Sequence, residues 1–305
     1  MFERIEKGLY WDRLLRLIDG CTPCSPGCRC WVAREAKVRT YGAKDLLGSD
    51  GMWNGQIRLR HDNLDLPIRT KKPQAWLILN DLFHEDVPEE FIAATYGVAS
   101  VCPDHTFLIL TKRADRMVRW YQKHTNYSNW CINEACLALP DIRTFGIRLK
   151  QDRTWPLPNV WLGCTVVNQQ EADEKISLLL QIQAAVRWVS LEPLLGPIDL
   201  SKWFWDFNED YQPPRFLDEG ETYRVKPNIP SHKISWVVAG GETGPGARPM
   251  NPEWAVSVKD QCVSAGTPFF FKGYGKYRGE YPGYYVSSGR LLDGREYSEI
   301  PEVKK

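Results

Sequence analysis

Three consecutive stretches decide the fold: VWLGCTV (160–166), QQEADEKISLLLQIQAA (169–185) and VRWVSLE (186–192). The outer two are short, nearly unbroken apolar strings rich in β-branched and aromatic residues. Parallel strands covered on both faces look like this. Between them, Gln169 to Ala185 sets Ala172, Ile176, Leu179 and Leu180 on one helical face. Strand, helix, strand in this order is the signature of an α/β fold.

Similar runs flank this unit on both sides. They are LLRLI (14–18), QIRLR (56–60), AWLILN (75–80), TFLILT (106–111), ISWVVAG (234–240) and PFFFKG (268–273). The first is equally readable as helix, and the second alternates with arginine. Helical patterns open at Pro88 to Ala94 and Arg113 to Tyr121. Another spans Glu253 to Ala265, with Pro252 in its first turn and Gly266 as its C-cap. Eight strand runs with intervening helices predict a (β/α)8 TIM-like barrel, closed or irregular and partly open, with inserted loops. An open doubly wound sheet is the runner-up. Residues 1–280 are expected to form one domain. An insertion or lid near 197–232, rich in aromatics, prolines and acids, interrupts it. Residues 281–305 read as a C-terminal extension of loop and hairpin, and 122–159 as irregular.

The 39 basic and 38 acidic residues leave a formal net charge of +1. No whole-molecule field would draw in nucleic acid, although a local basic groove remains open. The start, MFERIEKGLYWDR, is too charged for a signal peptide. No apolar run reaches about 18 residues, so no membrane partner is expected. A cytoplasmic protein is the expectation. Nine cysteines are an odd number, and Cys102, Cys131, Cys136, Cys164 and Cys262 sit singly in mostly apolar contexts. Buried free thiols in a reducing compartment explain this better than a disulfide framework.

The remaining four, Cys21, Cys24, Cys28 and Cys30, crowd into GCTPCSPGCRC at 20–30. Pro23, Pro26 and Gly27 force turns between them, so they cannot all point into a core. Thiolates gathered this way bind zinc or an iron–sulfur cluster, or pair as disulfides. Structural zinc usually takes two well-separated cysteine pairs. An iron–sulfur cluster suits one curled loop better, and three cysteines on a [4Fe–4S] cluster leave one iron open.

In α/β folds ligands bind beyond the carboxyl ends of the strands. The polar residues just after the apolar runs are therefore the candidate site. They are Asp81 and His84 after 75–80, Lys112 and Arg113 after 106–111, and Glu192 at the end of 186–192. Gly240, Gly241 and Glu242 close the run 234–240, and Lys272 closes 268–273. Each has a plainer use as a strand cap, turn residue or ion-pair partner. The glycine pair also lets backbone N–H groups approach an anion or an adenosine moiety.

GCTPCSPGCRCW resembles the three-cysteine signature of a phage and bacterial protein family of unknown function, distantly related to the radical S-adenosylmethionine enzymes. DLFHEDVP (81–88), LTKRADRM (110–117), SLEPLLGPI (190–198), GGETGPGARPM (240–250) and PFFFKGYG (268–275) resemble its other segments. The likeness spans residues 20 to 275 and rests on the number of blocks. The family spacing is Cys, six residues, Cys, two residues, Cys. Cys21 and Cys28 match the first interval, while only Arg29 separates Cys28 from Cys30. Cys24 is extra, and its three-residue spacing to Cys28 resembles the first interval of the common radical-enzyme motif. The resemblance favours Cys21, Cys28 and Cys30 as ligands.

The resemblance implies a [4Fe–4S] cluster whose open iron chelates S-adenosylmethionine. An electron from an external donor would split the sulfonium, and the resulting deoxyadenosyl radical would abstract hydrogen from a nucleobase or nucleotide. Lys112 and Arg113 would meet the methionine carboxylate or a substrate phosphate. Glu192 and Glu242 would accept from the amino group or ribose hydroxyls. Asp81 and His84 would hold substrate, and Lys272 would supply charge at the same rim. A three-Cys-motif partner protein is also implied. Arg58, Arg60, Arg69, Lys71 and Lys72 could follow the phosphate backbone of a DNA substrate, and aromatics in 201–211 could stack a base. Two other classes remain. One is a non-catalytic, metal-stabilised binding module. The other is a metal-dependent hydrolase or nuclease built on Asp81, His84, Glu85, Glu192 and Glu242, which leaves the cysteine loop without a use.

Overall fold

The computed structural model describes residues 1–28, 43–124, 127–140, 155–204, 233–244, 246–276, 280–281, 284–285 and 289–302. Seven strands form one sheet: β1 (Arg13–Arg16), β4 (Ala75–Leu79), β5 (Thr106–Thr111), β6 (Val160–Thr165), β7 (Val186–Leu191), β8 (Trp236–Gly240) and β9 (Phe269–Gly273). All neighbours are parallel, and spatial order follows chain order. A doubly wound sheet needs a reversal of strand order. None occurs here, so that alternative is excluded.

The strands β4 to β9 each divide their side chains between two cores, as the period of two requires. Trp76, Phe107, Leu162, Val189, Val237 and Phe271 belong to the larger one, shared with the helices. Leu77, Leu108, Trp161, Trp188, Trp236 and Phe270 face the opposite way and join Tyr10 and Trp11. Laid flat, the six steps between seven strands would separate the edges by about 29 Å. Yet Tyr10, just before β1 at one edge, packs 5.8 Å from Phe270 on β9 at the other. It also meets Trp188 at 5.5 Å and Trp236 at 5.4 Å. The sheet therefore curls around this aromatic plug. Among the described residues no ladder joins β1 to β9. The architecture is an irregular, open TIM-like barrel.

The run LLRLI breaks at Leu17 into β1 and β2 (Ile18–Gly20). β2 pairs antiparallel with β3 (Ile57–Leu59), so the run QIRLR forms a small separate ladder and not a barrel strand. Its alternating arginines explain the difference. Arg60 reaches back to Asp19, which is fully buried and also held by Arg16, while Arg58 pairs with Asp45.

The helices are the turn α1 (Leu66–Arg69), α2 (Glu89–Val101), α3 (Ala114–Lys123), α4 (Tyr127–Ala138), α5 (Gln169–Leu179) and α6 (Pro252–Ser264). Asn168 caps α5 by accepting from Glu171 N, and Asn251 caps α6 by accepting from Glu253 N. α5 stops at Leu179, short of Ala185. α4 falls inside 122–159, which the sequence reading left irregular. Of its described buried residues Cys131, Ile132 and Ala135, two are small, so its apolar face is faint in sequence. Small residues suit its place: a Cβ on Gly97 of α2 would lie 2.0 Å from Cys131 O.

Of the expected insertion, residues 205–232 lie outside the described residues. Trp203 and Phe204 before them are buried in the outer core. At the C-terminus, β10 (Glu280–Tyr281) pairs with β11 (Tyr284–Tyr285), and β12 (Leu291–Leu292) with β13 (Arg295–Glu296). Leu292 and Tyr297 also join the outer core. No helix among the described residues is long and apolar enough to cross a membrane.

Candidate active site

The carboxyl ends of the strands converge on a cavity of about 280 Å³. Its deep wall is apolar and aromatic, from Tyr10, Trp11, Leu77 and Leu110. Its rim carries Asp81, Lys112, Arg113, Glu192, Glu242 and Lys272, with Gly241 beside them. Cys21, Cys24 and Cys28 line the same cavity. Cys30 lies outside the described residues. His84 and Gly240 are not among the lining residues.

On one wall of this rim Lys272 Nζ pairs with Glu192 Oε1 at 2.6 Å. The other carboxylate oxygen accepts from Tyr10 OH at 3.3 Å and Ser190 Oγ at 3.2 Å. Burial, and then the Glu192 charge, push the Tyr10 phenol well above its ordinary range, so it stays a donor. The Lys272 ammonium also lies 5.1 Å from the Trp11 ring centroid and 5.5 Å from that of Tyr10. That distance suits a cation–π contact. This wall offers an oriented donor and acceptor on an aromatic floor.

Asp81 and Glu242 have a different job. Asp81 is buried and accepts from Phe83 N, Thr111 Oγ1, Lys112 N and Arg113 Nη1, the last at 2.8 Å. It ties the end of β4 to the end of β5. Arg113, also buried, donates onward from Nη2 to Thr22 O at 2.9 Å and lies 3.7 Å from Cys21 Sγ. Glu242 accepts from Arg248 N at 2.7 Å and Arg248 Nε at 2.9 Å, and Arg248 Nη2 donates to Pro26 O at 2.8 Å. Arg248 was not singled out from sequence. Its only signal was its place six residues after Glu242 in GGETGPGARPM.

His84 is buried beneath the cysteine loop. Its Nδ1 accepts from Asp86 N at 3.2 Å, so Nε2 carries the hydrogen shared with Thr22 Oγ1 at 2.9 Å. Burial, helped by Arg113, lowers its pKa and keeps the ring neutral. Among the described residues Lys112 is the rim cation without an ion-pair partner, so it is available to an anionic ligand group.

The two glycines are set by backbone crowding. A Cβ on Gly241 would lie 2.2 Å from Tyr274 O, and one on Gly240 would lie 3.2 Å from Glu192 Oε1. Gly241 N is already taken by Gly273 O at 2.9 Å. The basic stretch is largely paired within the chain: Arg58 with Asp45, Arg60 with Asp19, Arg69 with Asp65 and Lys72 with Glu3.

Cys21, Cys24 and Cys28 are free thiols. A hydrogen bond from Cys24, with Lys112 nearby, holds the Cys28 thiol below the ordinary cysteine range. Burial raises Cys21, and Arg113 opposes that rise. Among the described residues no group of three or more His, Cys, Asp or Glu is arranged to hold a metal ion. The donor chemistry nevertheless suits a soft metal, with sulfur ligands at the rim of a cavity that can take a second ligand.

The family model described as "Protein of unknown function (DUF5131)" matches residues 9–301. No curated protein matches the chain, and no solved structure does. With its match running from the aromatic plug through the C-terminal hairpin, this open barrel belongs to the DUF5131 family of proteins of unknown function.

Proposed function

We propose that the chain is an iron–sulfur enzyme of the radical S-adenosylmethionine type, acting on a nucleobase or nucleotide. One observation carries the reading: the cysteine loop lines the same cavity as the strand-end polar residues and the aromatic wall. Cys21, Cys28 and Cys30 would hold a [4Fe–4S] cluster, with Cys24 as hydrogen-bond donor to Cys28. When bound, such a cluster supplies one-electron cleavage of S-adenosylmethionine, which starts hydrogen abstraction from an unactivated carbon.

The chain's own residues bind and orient. Lys112 receives a carboxylate or phosphate. Glu192 and Lys272 present an acceptor and a donor to a polar ligand edge, backed by Tyr10 and Ser190. Tyr10, Trp11, Leu77 and Leu110 exclude water, which a reactive intermediate requires. The electron comes from an external donor, and a three-Cys-motif protein is the candidate partner. The hydrolase reading is weaker because Asp81 and Glu242 spend their oxygens on Arg113 and Arg248.

The test is product release. Oxygen-free protein with dithionite and S-adenosylmethionine should yield 5′-deoxyadenosine. Cys28→Ala should abolish the yield and Cys24→Ala should keep it. Colourless wild-type protein holding one zinc and releasing nothing would favour the binding-module reading instead.

A further inference from the structure

We infer that Arg113 and Arg248 form a two-sided clamp that sets the cysteine loop before any metal arrives, which makes both positioning residues. The consequence for metal rests on the cluster reading above; the clamp itself does not. The loop from Cys21 to Cys28 is gripped near both ends. Arg113 Nη2 donates to Thr22 O at 2.9 Å, and Arg248 Nη2 donates to Pro26 O at 2.8 Å. Cys24 lies between the two grips.

Each arginine is itself fixed by a buried carboxylate at a strand end, Asp81 after β4 and Glu242 after β8. The guanidinium is suited to this, because its planar fork can meet a carboxylate and a carbonyl at once. Lysine, as a point charge, cannot hold both in fixed directions. Gly27 adds a third contact. A Cβ there would come within 2.7 Å of Val167 Cγ1 and 3.1 Å of Pro193 Cδ, so the loop backbone lies directly on the ends of β6 and β7. The loop thus bridges the barrel mouth from the β4–β5 side to the β8 side. A loop already held this way loses less conformational entropy when a metal orders its ligands. Residues behind metal ligands typically change metal affinity by about 10–100-fold.

The experiment compares metal-free wild type, Arg248→Gln and Arg248→Lys by rates of thiol alkylation, read by mass spectrometry on the Cys21–Cys28 peptide. Arg248→Gln should raise the rate at Cys21 and Cys28 severalfold, with Cys102, Cys131 and Cys262 unchanged as controls for folding. Arg248→Lys should behave more like the glutamine variant than like wild type. After iron reconstitution, chelator should strip Arg248→Gln about tenfold faster than wild type. Equal alkylation rates in all three proteins would overturn the clamp. If the glutamine variant does not fold, the lysine variant carries the same readout. Wild type that takes up no iron, with the variants still alkylating faster than it does, would refute the cluster reading and leave the clamp standing.

Discussion

His84 shows how far a residue's type can stand from its use. The sequence placed it at a strand end and suggested a substrate contact. The folded chain buries it, uses both ring nitrogens locally and keeps it neutral. Its folded pKa lies below the ordinary 6.5, so the unfolded chain takes the proton first as pH falls. The stability it contributes is whole above about 6.5 and is lost progressively as pH falls below that. Melting temperature should therefore drop as pH falls below about 6.5, and His84→Gln should flatten the drop. An equal drop in both proteins would contradict the assignment. Asp81 and Glu242 are likewise spent on local contacts, with Arg113 and Arg248. Strand-end position was legible, because a residue following an apolar run must emerge at the barrel mouth. Their arginine partners were not, since each pairing depends on how a loop folds back. Tyr10 and Trp11 were missed as pocket walls because they precede the first strand.

Among the elements, the helix α4 was the least visible, and its packing explains why. Gly97 on α2 lets the α4 backbone approach so closely that a methyl group would overlap Cys131 O at 2.0 Å and Ala135 Cβ at 2.6 Å. A helix whose described buried side chains are one cysteine, one alanine and a single isoleucine leaves little hydrophobic periodicity to read. Gly97→Ala should force the two helices apart and cost about 1–3 kcal/mol, measured by denaturant unfolding. A neutral result would mean that the helices do not meet there. By contrast α5 was legible from its apolar face and the Asn168 cap. Asn168→Ala should cost about 1 kcal/mol in the same assay.

At the scale of the whole molecule, sequential parallel strands and an aromatic interior make one curled sheet. Trp188 is fully buried and lies across Gly163, where a Cβ would meet its ring at 2.5 Å. Trp188→Ala should destabilise the chain by about 3–5 kcal/mol. The strand runs made the barrel class legible, because β-branched and aromatic strings bounded by loops allow few other folds. The loss of the run 56–60 to a side ladder was harder to see, since only the partners Asp19 and Asp45 of its arginines reveal it. The barrel mouth is where the fold and the cysteine loop meet. The direct measurement is iron and acid-labile sulfide in protein purified without oxygen. A [4Fe–4S] cluster on the cysteine loop requires about four of each per chain in wild type and neither in Cys28→Ala. Iron-free wild-type protein, or iron retained equally by Cys28→Ala, would contradict it.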